Sequence, residues 1–356
     1  MINKQFFGKK KVLITGNTGF KGTWMSYALL DAGAEVVGYS LEPPTKINLY
    51  ELSGIGKYVK TIKGDVRDCD KLKEIMKQEK PDIVIHMAAQ PIVKEGYKNP
   101  VGTYETNVMG TVNVLESIRF TDSVKSFLNV TTDKVYENKE WEWGYRENEN
   151  LNGYDPYSNS KSCSELITSC YKKSFFEDGQ VAISTARAGN VIGGGDFAEN
   201  RIIPDCVRAV ENKTDIIVRN PYSIRPYQHV LESVMTYLMI AERQFNDANV
   251  QGSYNVGPND IDCITTGELV EQFCNKWGNN LKWINRYDGG PHEAQFLKLD
   301  CSKLKKTFGW KPRWNVSEAL DKTVEWSKEY IKGGNISKIM LEQINSYEEG
   351  KGSNEQ

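Results

Sequence analysis

Two short segments hold residue types that can do chemistry together. Thr132-Asp133-Lys134 sets a hydroxyl, a carboxyl and an amine in a row, and Tyr157 lies four residues before Lys161. Asp155-Pro156 reads as an N-cap followed by a first-turn proline, which puts Tyr157 and Lys161 one turn apart on one helix face. A phenol titrates near pH ~10 and is too weak a base at neutral pH, but a neighbouring ammonium favours the phenolate. Tyr157 can then take a hydroxyl proton while the carbinol hydrogen leaves as hydride. Taken alone this spacing is weak, because the chain has 18 Tyr among its 356 residues and an exposed helical pair explains it equally well.

A hydride needs an acceptor, and the N-terminal segment offers a place for one. Lys11-Val12-Leu13-Ile14-Thr15 is a short β-rich run that feeds into Gly16-Asn17-Thr18-Gly19-Phe20-Lys21-Gly22 and then a helical pattern from Trp24 to Ala32. Strand, glycine turn and helix in that order let backbone N–H groups and a helix N-terminus approach a pyrophosphate with no Cβ in the way. The alternative is a tight turn with no ligand. After the second strand, Glu35 to Tyr39, the position expected to hold an acid for the adenosine ribose is Ser40, and Glu42 arrives two residues late. NAD is the expected cofactor, with NADP left open. Gly64-Asp65-Val66-Arg67-Asp68 follows the next strand, where a carboxylate can accept the adenine amino group, while Asp68 reads as an N-cap for the helix from Cys69. The fourth strand ends in His86-Met87-Ala88-Ala89-Gln90, small residues past which a cofactor can run, with His86 read as a hydrogen-bonded structural residue. The fifth, Ser126 to Val130, delivers Thr131, Thr132, Asp133 and Lys134 to the same edge.

These elements predict an α/β fold: a Rossmann-type doubly wound parallel sheet with a smaller, interleaved C-terminal α/β lobe for substrate. Residues 1–186, with about 226–256, are expected to form the dinucleotide-binding domain and 187–225 with 257–335 the substrate lobe. The helix around Ser233 to Phe245 should return to the large domain. Ser346 to Gln356 are polar and expected to fray as a flexible tail.

The motif T-G-x-x-G-F-x-G over Thr15 to Gly22, the pair Ala88-Ala89, Asn107 in the following helix, and Tyr157 with Lys161 resemble the extended short-chain dehydrogenase/reductase family. Within it, Thr132-Asp133-Lys134 resembles the nucleotide-sugar 4,6-dehydratases, and Asp-Lys is the pattern of the subgroup that acts on CDP-glucose. Arg187 to Asp196, Arg219-Asn220-Pro221 and Arg225 to Val230 extend the similarity, which runs from about residue 8 to about residue 330. The resemblance implies cofactor contacts at Gly16, Thr18, Gly19, Phe20, Gly22, Ser40, Asp65, Val66, Ala88, Ala89, Gln90, Asn107, Tyr157 and Lys161. It implies substrate contacts at Asn190, Arg201, Arg219, Arg225 and His292. Guanidinium forks suit a diphosphate, although a solvated surface charge is the common alternative for any one Arg.

The implied reaction is a lyase reaction in which the nicotinamide takes and returns one hydride. Tyr157 removes the C4 hydroxyl proton, and oxidation to a ketone makes the C5 proton acidic. Asp133, if burial keeps it protonated, donates to the departing C6 hydroxyl. Lys134 is expected as the C5 base or relay, or it holds the enolate oxygen, or pairs with Asp133. Thr132 is placed to hydrogen-bond the C4 oxygen. An epimerase or reductase of the same fold, a dehydratase of another nucleoside diphosphate hexose, and a non-catalytic dinucleotide sensor are the competing readings. A deoxysugar for a surface polysaccharide such as an O-antigen follows by analogy only.

Composition narrows the remaining classes. At 39% hydrophobic the chain can bury a full core, and a formal charge of −2 leaves no basic footprint for nucleic acid. No run approaches the ~18 apolar residues of a membrane span. Seven cysteines without a framework point to a reducing cytoplasm. No metal is expected: His292-Glu293-Ala294 lacks the second histidine of a zinc helix, and the chain has three His in all. Two long helices, near 101–120 and 156–176, resemble those that pair across a homodimer interface in this family, although an intrachain core would use the same periodicity.

Overall fold

The computed structural model describes residues 2–177, 179–286 and 295–350. Its central sheet has seven strands: β1 (Lys11–Thr15), β2 (Glu35–Ser40), β3 (Lys60–Lys63), β4 (Ile83–His86), β5 (Ser126–Val130), β6 (Ala182–Ala188) and β7 (Ser253–Val256). All pair in parallel, in the order β7-β6-β5-β4-β1-β2-β3. Runs such as Val12-Leu13-Ile14 and Ile83-Val84-Ile85 are apolar without alternation and fully buried, as a sheet covered on both faces requires.

Successive residues of these strands feed opposite cores. Val12, Ile14, Ile83 and Ile85 face α1 (Phe20–Asp31) and α5 (Val230–Asn246), whereas Leu13, Val84 and Phe127 face α2 (Cys69–Glu79), α3 (Gly110–Arg119) and α4 (Pro156–Phe175). The chain runs from β1 outward to β3 and then crosses back to β4, so the strand order reverses between β1 and β4 and a crevice opens at their carboxyl ends. The helix expected near 101–120 is Pro100–Tyr104, a π-helical turn over Glu105–Met109, then α3.

A second core joins the helices Ile202–Glu211 and Thr266–Trp277 to the parallel pair Ile216–Val218 and Trp283–Asn285. The helix near 233–245 does lie on the main sheet, where α5 accepts from Ser126 Oγ at Ala241 O (2.9 Å) and donates from Gln244 Nε2 to Phe127 O (2.9 Å). The stretch expected to belong wholly to the substrate lobe is divided: Cys301, Leu304, Trp310 and Trp314 pack into the main core. α6 (Val316–Ile331) spans both, with Val316 and Leu320 in the small core and Trp326 in the large one.

The expected tail begins too early. Ser346 to Glu349 complete α7 (Ile336–Glu349), because Tyr347 is buried and its hydroxyl donates to Glu232 Oε2 at 2.9 Å, while residues 351–356 lie outside the described residues. Glu232 also accepts from the backbone N–H of Arg313 (2.8 Å) and Trp314 (2.7 Å). Burial pushes this carboxyl up to about 7 against those hydrogen bonds. A carboxyl raised in the folded state binds its proton more tightly there, so stability present below its unfolded value near 4.5 is lost as pH rises through about 7. Glu232→Gln is therefore expected to raise the melting temperature by a few degrees at pH 8 and to leave it near wild type at pH 5. An equal change at both pH values in thermal unfolding would contradict this origin.

Candidate active site

The glycine turn between β1 and α1 is built by close approach. Gly16 has a φ of 81°, and a Cβ there would stand 2.8 Å from Ala88 N; a Cβ on Gly22 would stand 2.2 Å from Gly16 O. Gly19 is the N-cap of α1 and supplies no side chain to its first N–H groups. Those of Phe20, Lys21 and Gly22 point out of the helix end and suit an anion. Ser40 Oγ accepts from Thr18 N (3.4 Å), and Thr18 Oγ1 donates to Leu41 O (3.1 Å), which fixes the turn against the end of β2. Beyond β3, Asp65 is held by Arg67 at 2.6 Å, and Val66 is buried against Gly110.

At the end of β4, Ala88 N donates to Thr15 Oγ1 (3.2 Å), and His86 lies between Thr15 Oγ1 (2.7 Å) and Thr111 Oγ1 (3.3 Å). Burial pushes the His86 imidazole down to about 3, so it is a neutral tie, as its sequence position indicated. Asn107, expected at the cofactor, is tied to the end of β4. Its Oδ1 accepts from Gln90 N (2.8 Å), and its amide donates to Gln90 O (3.0 Å) and Ser160 Oγ (2.9 Å). With both amide hydrogens engaged, Asn107 positions Gln90 from the π-helical turn. The open glycine cradle, uncapped helix end and adjoining strand ends fit a dinucleotide lying across the crevice.

The reacting groups meet where β5 ends beside the first turns of α4. Asp155 Oδ1 accepts from Tyr157 N (3.0 Å) and Ser158 N (3.1 Å), the cap expected from Asp-Pro. Thr132 Oγ1 donates to Asp133 Oδ1 (3.0 Å), and the Thr132 side chain acts on the Tyr157 phenol to favour its ionised form. Asp133 is fully buried, Lys134 Nζ stands 3.7 Å from its Oδ1, and its Oδ2 has no partner among the described residues. Thr132, Asp133, Lys134 and Tyr157 are thus brought together.

Lys161 follows Tyr157 by one turn of α4 and is buried with it. Its Nζ donates to Val130 O at 3.2 Å, at the base of the cluster, and burial lowers it to about 8 against the charge of Glu165. Burial likewise pushes Tyr157 up to about 12, opposed by the Thr132 hydrogen bond and Arg201. Helical spacing put the two residues on one face, but desolvation outweighs the gain of a nearby cation in this protein.

On the substrate side, Asn190 Oδ1 is buried with no partner among the described residues. Arg201 pairs with Asp196 at 2.9 Å and acts electrostatically on Tyr157. Arg219 Nη1 (3.2 Å) and Lys94 Nζ (3.3 Å) both donate to Oδ1 of Asn200, the residue before Arg201, so two basic side chains meet there. Arg225 is buried and donates to Ile224 O at 2.9 Å. His292 lies outside the described residues.

Lys21 is a site residue that spacing arguments passed over. It is the second residue of α1 and sits in the field of Arg201, Lys161, Asp133 and Asp196; burial first, then the two cations, lower it to about 8. The one signal was a lysine inside a glycine turn, at a helix N-terminus where the macrodipole disfavours a cation. Among the described residues no group of three or more His, Cys, Asp or Glu is arranged to hold a metal ion, and no helix is long and apolar enough to cross a membrane.

The reversed parallel sheet, the glycine turn and the Tyr157/Lys161 helix beside Thr132 define a short-chain dehydrogenase/reductase of the extended type. Residues 13–323 match the family described as GDP-mannose 4,6 dehydratase, and the chain belongs to that family. It is 46% identical over 353 residues to CDP-glucose 4,6-dehydratase of Salmonella typhimurium, covering 98% of each chain. It is 26% identical to dTDP-D-glucose 4,6-dehydratase of Mus musculus, covering 89% of this chain and 88% of that one. Among solved structures, a Bacillus anthracis dTDP-glucose 4,6-dehydratase in complex with NAD superposes with a TM-score of 0.75 at 22% identity, covering 91% of this chain and 98% of that one. A Thermus thermophilus UDP-glucose 4-epimerase complex with NAD gives 0.78 at 24%, covering 89% and 99%.

The contact between Gly22 and Gly16 generates a direct test. Gly22→Ala is expected to weaken binding of nicotinamide dinucleotide at least ~10-fold, about 1.4 kcal/mol, in calorimetric titration. An unchanged dissociation constant would mean that the turn does not cradle the ligand.

Proposed function

We propose that this chain converts CDP-D-glucose to CDP-4-dehydro-6-deoxy-D-glucose and water, with NAD bound throughout. The observation that carries this reading is Asp133, fully buried beside Thr132 and Lys134, with one carboxyl oxygen left without a partner among the described residues. An oxidoreductase that only moves a hydride needs no acid there. The 46% identity to the Salmonella enzyme over nearly the whole chain supports the CDP-sugar assignment.

Gly16, Thr18, Gly19, Phe20 and Gly22 would hold the NAD pyrophosphate, Ser40, Asp65 and Val66 the adenosine end, and Ala88, Ala89 and Gln90 the nicotinamide end. When bound, NAD accepts the C4 hydride and returns it to C6, so no net reduction occurs. Tyr157 takes the C4 hydroxyl proton while Thr132, whose side chain favours the ionised phenol, orients the C4 oxygen. The resulting ketone acidifies the C5 proton, for which Lys134 is the base or relay. Asp133 gives a proton to the C6 hydroxyl, which leaves as water. Arg219 and Lys94, which share Asn200 Oδ1, and Arg201 on Asp196 would supply charge-assisted donors to a diphosphate, and Asn190 would offer an acceptor to a sugar hydroxyl.

A homodimer is part of the same proposal. Val101, Met109 and Phe120 on the 100–120 segment, with Leu166 and Phe175 on neighbouring α4, are large apolar side chains left exposed. Two copies pairing these helices would cover them. Multi-angle light scattering is expected to give twice the chain mass, and Leu166→Glu to return it to one; a monomeric wild type across concentrations would rule the dimer out.

Incubation with CDP-glucose and NAD in deuterated water is expected to give a 4-keto-6-deoxy sugar with deuterium at C5 and no accumulated NADH, read by NMR and absorbance. Turnover of dTDP-, GDP- or UDP-sugars in its place would overturn the nucleotide assignment, and a C4 epimer would overturn the elimination. In Asp133→Asn, C4 oxidation in a single turnover is expected to stay within ~10-fold of wild type while product formation falls by ~100-fold or more. Equal loss of both steps would refute the division of labour.

A further inference from the structure

Glu165 lies one turn beyond Lys161 on α4, fully buried, and the reaction described above gives it no role. Its hydrogen bonds go to the scaffold of the reacting centre. Oε1 accepts from Thr131 Oγ1 (2.5 Å), the residue directly before Thr132-Asp133-Lys134. Oε2 accepts from Thr185 Oγ1 (2.7 Å) and Arg187 Nη2 (2.9 Å), both on β6. Arg187 Nη1 in turn donates to Tyr136 Oη (2.9 Å) and Glu147 O (3.0 Å), and Tyr136 Oη donates to Asn255 Oδ1 (2.6 Å) on β7. One carboxylate therefore ties the helix bearing Tyr157 and Lys161 to the backbone on both sides of Asp133 and Lys134.

Glu165 also brings a negative charge close to Lys161 on the same helix. Lys161 is buried, with its amine on Val130 O, and burial disfavours its ammonium form. In its field stand His86 from β4, which is neutral, and Lys21 from α1, with Tyr157 one turn earlier on α4 and Arg187 from β6 on the far side of Glu165. Glu165 and Lys161 stand four residues apart on α4, both buried, so the carboxylate is a helical neighbour of the amine and favours its charged form. A lysine that assists a phenolate must be charged to do so.

We propose that Glu165 is a positioning residue of this centre: it locks α4 to the end of β5 and keeps the Lys161 amine charged beside Tyr157. The inference rests on Tyr157 and Lys161 performing the C4 oxidation. A purely structural buried ion pair would supply the lock without the charge, so the test must read the charge.

Lysine Cε resonances of the folded protein, with Lys161 assigned through Lys161→Arg, are titrated by NMR without substrate. In Glu165→Gln the Lys161 midpoint is expected to fall by about one pH unit, and in Glu165→Asp, where the carboxylate is drawn back, by less. Thr185→Val, which removes a hydrogen bond but no charge, is expected to leave the midpoint at the wild-type value. In single-turnover oxidation of CDP-glucose, the pH at which the rate stops rising should move down in the same order. A midpoint unchanged in Glu165→Gln, or in Glu165→Asp should the Gln variant fail to fold, overturns the proposal, as does an equal shift in Thr185→Val. A shifted midpoint in a protein that shows no oxidation of CDP-glucose refutes the substrate reading and leaves the charge relation standing.

Discussion

Because β1, β4 and β5 run the same way, Thr15, His86 and Val130 reach one edge of the sheet together, and one residue beyond each the backbone makes its last bond to a neighbouring strand. Every polar group stranded there needs another partner. Thr15 Oγ1 supplies one to Met87 N and Ala88 N, Asn107 binds both backbone groups of Gln90, and Lys161 Nζ donates to Val130 O. The strand ends are thereby frozen close to one another and to the open end of α1. The site is a consequence of how a parallel sheet finishes, with chemistry added at the points where the chain leaves it.

Features set by a few adjacent residues were readable in advance. The Asp155 cap, the Asp68 cap, the glycine turn and the tie at His86 all depend on contacts or conformations that short motifs encode. Desolvation is different, because it depends on the whole fold. The fourfold spacing of Tyr157 and Lys161 said nothing about how deeply both would be buried, and burial raises the phenol to about 12 where a neighbouring cation alone would have lowered it. Long-range partners were equally hidden: Glu165 meets Arg187 across 22 residues and Glu232 meets Tyr347 across 115. Those separations also explain why the tail appeared to begin at Ser346, since the polar residues around Tyr347 conceal that it is buried with Ile339, Met340 and Ile344 of the same helix.

The charge inventory of the crevice has its own logic. Lys21, Lys161 and Arg201 are drawn toward one small volume, and each lysine is lowered to about 8 by burial. Asp196 answers Arg201 directly at 2.9 Å, while Asp133 lies within the field of Lys21 and 3.7 Å from Lys134. A further cation would add repulsion, and the hydrogen-bonded, neutral His86 avoids it.

Such a cluster is poorly balanced as it stands and better balanced with phosphate groups nearby. Each diphosphate placed at the end of α1 or beside Arg201 and Arg219 meets donors already oriented toward it, and it offsets repulsion among groups that the fold has forced together. Binding then draws on strain that folding has already accepted. The same groups that disfavour further cations in the crevice favour anions there, and the buried Asp133 offsets part of their charge through Lys21 and Lys134.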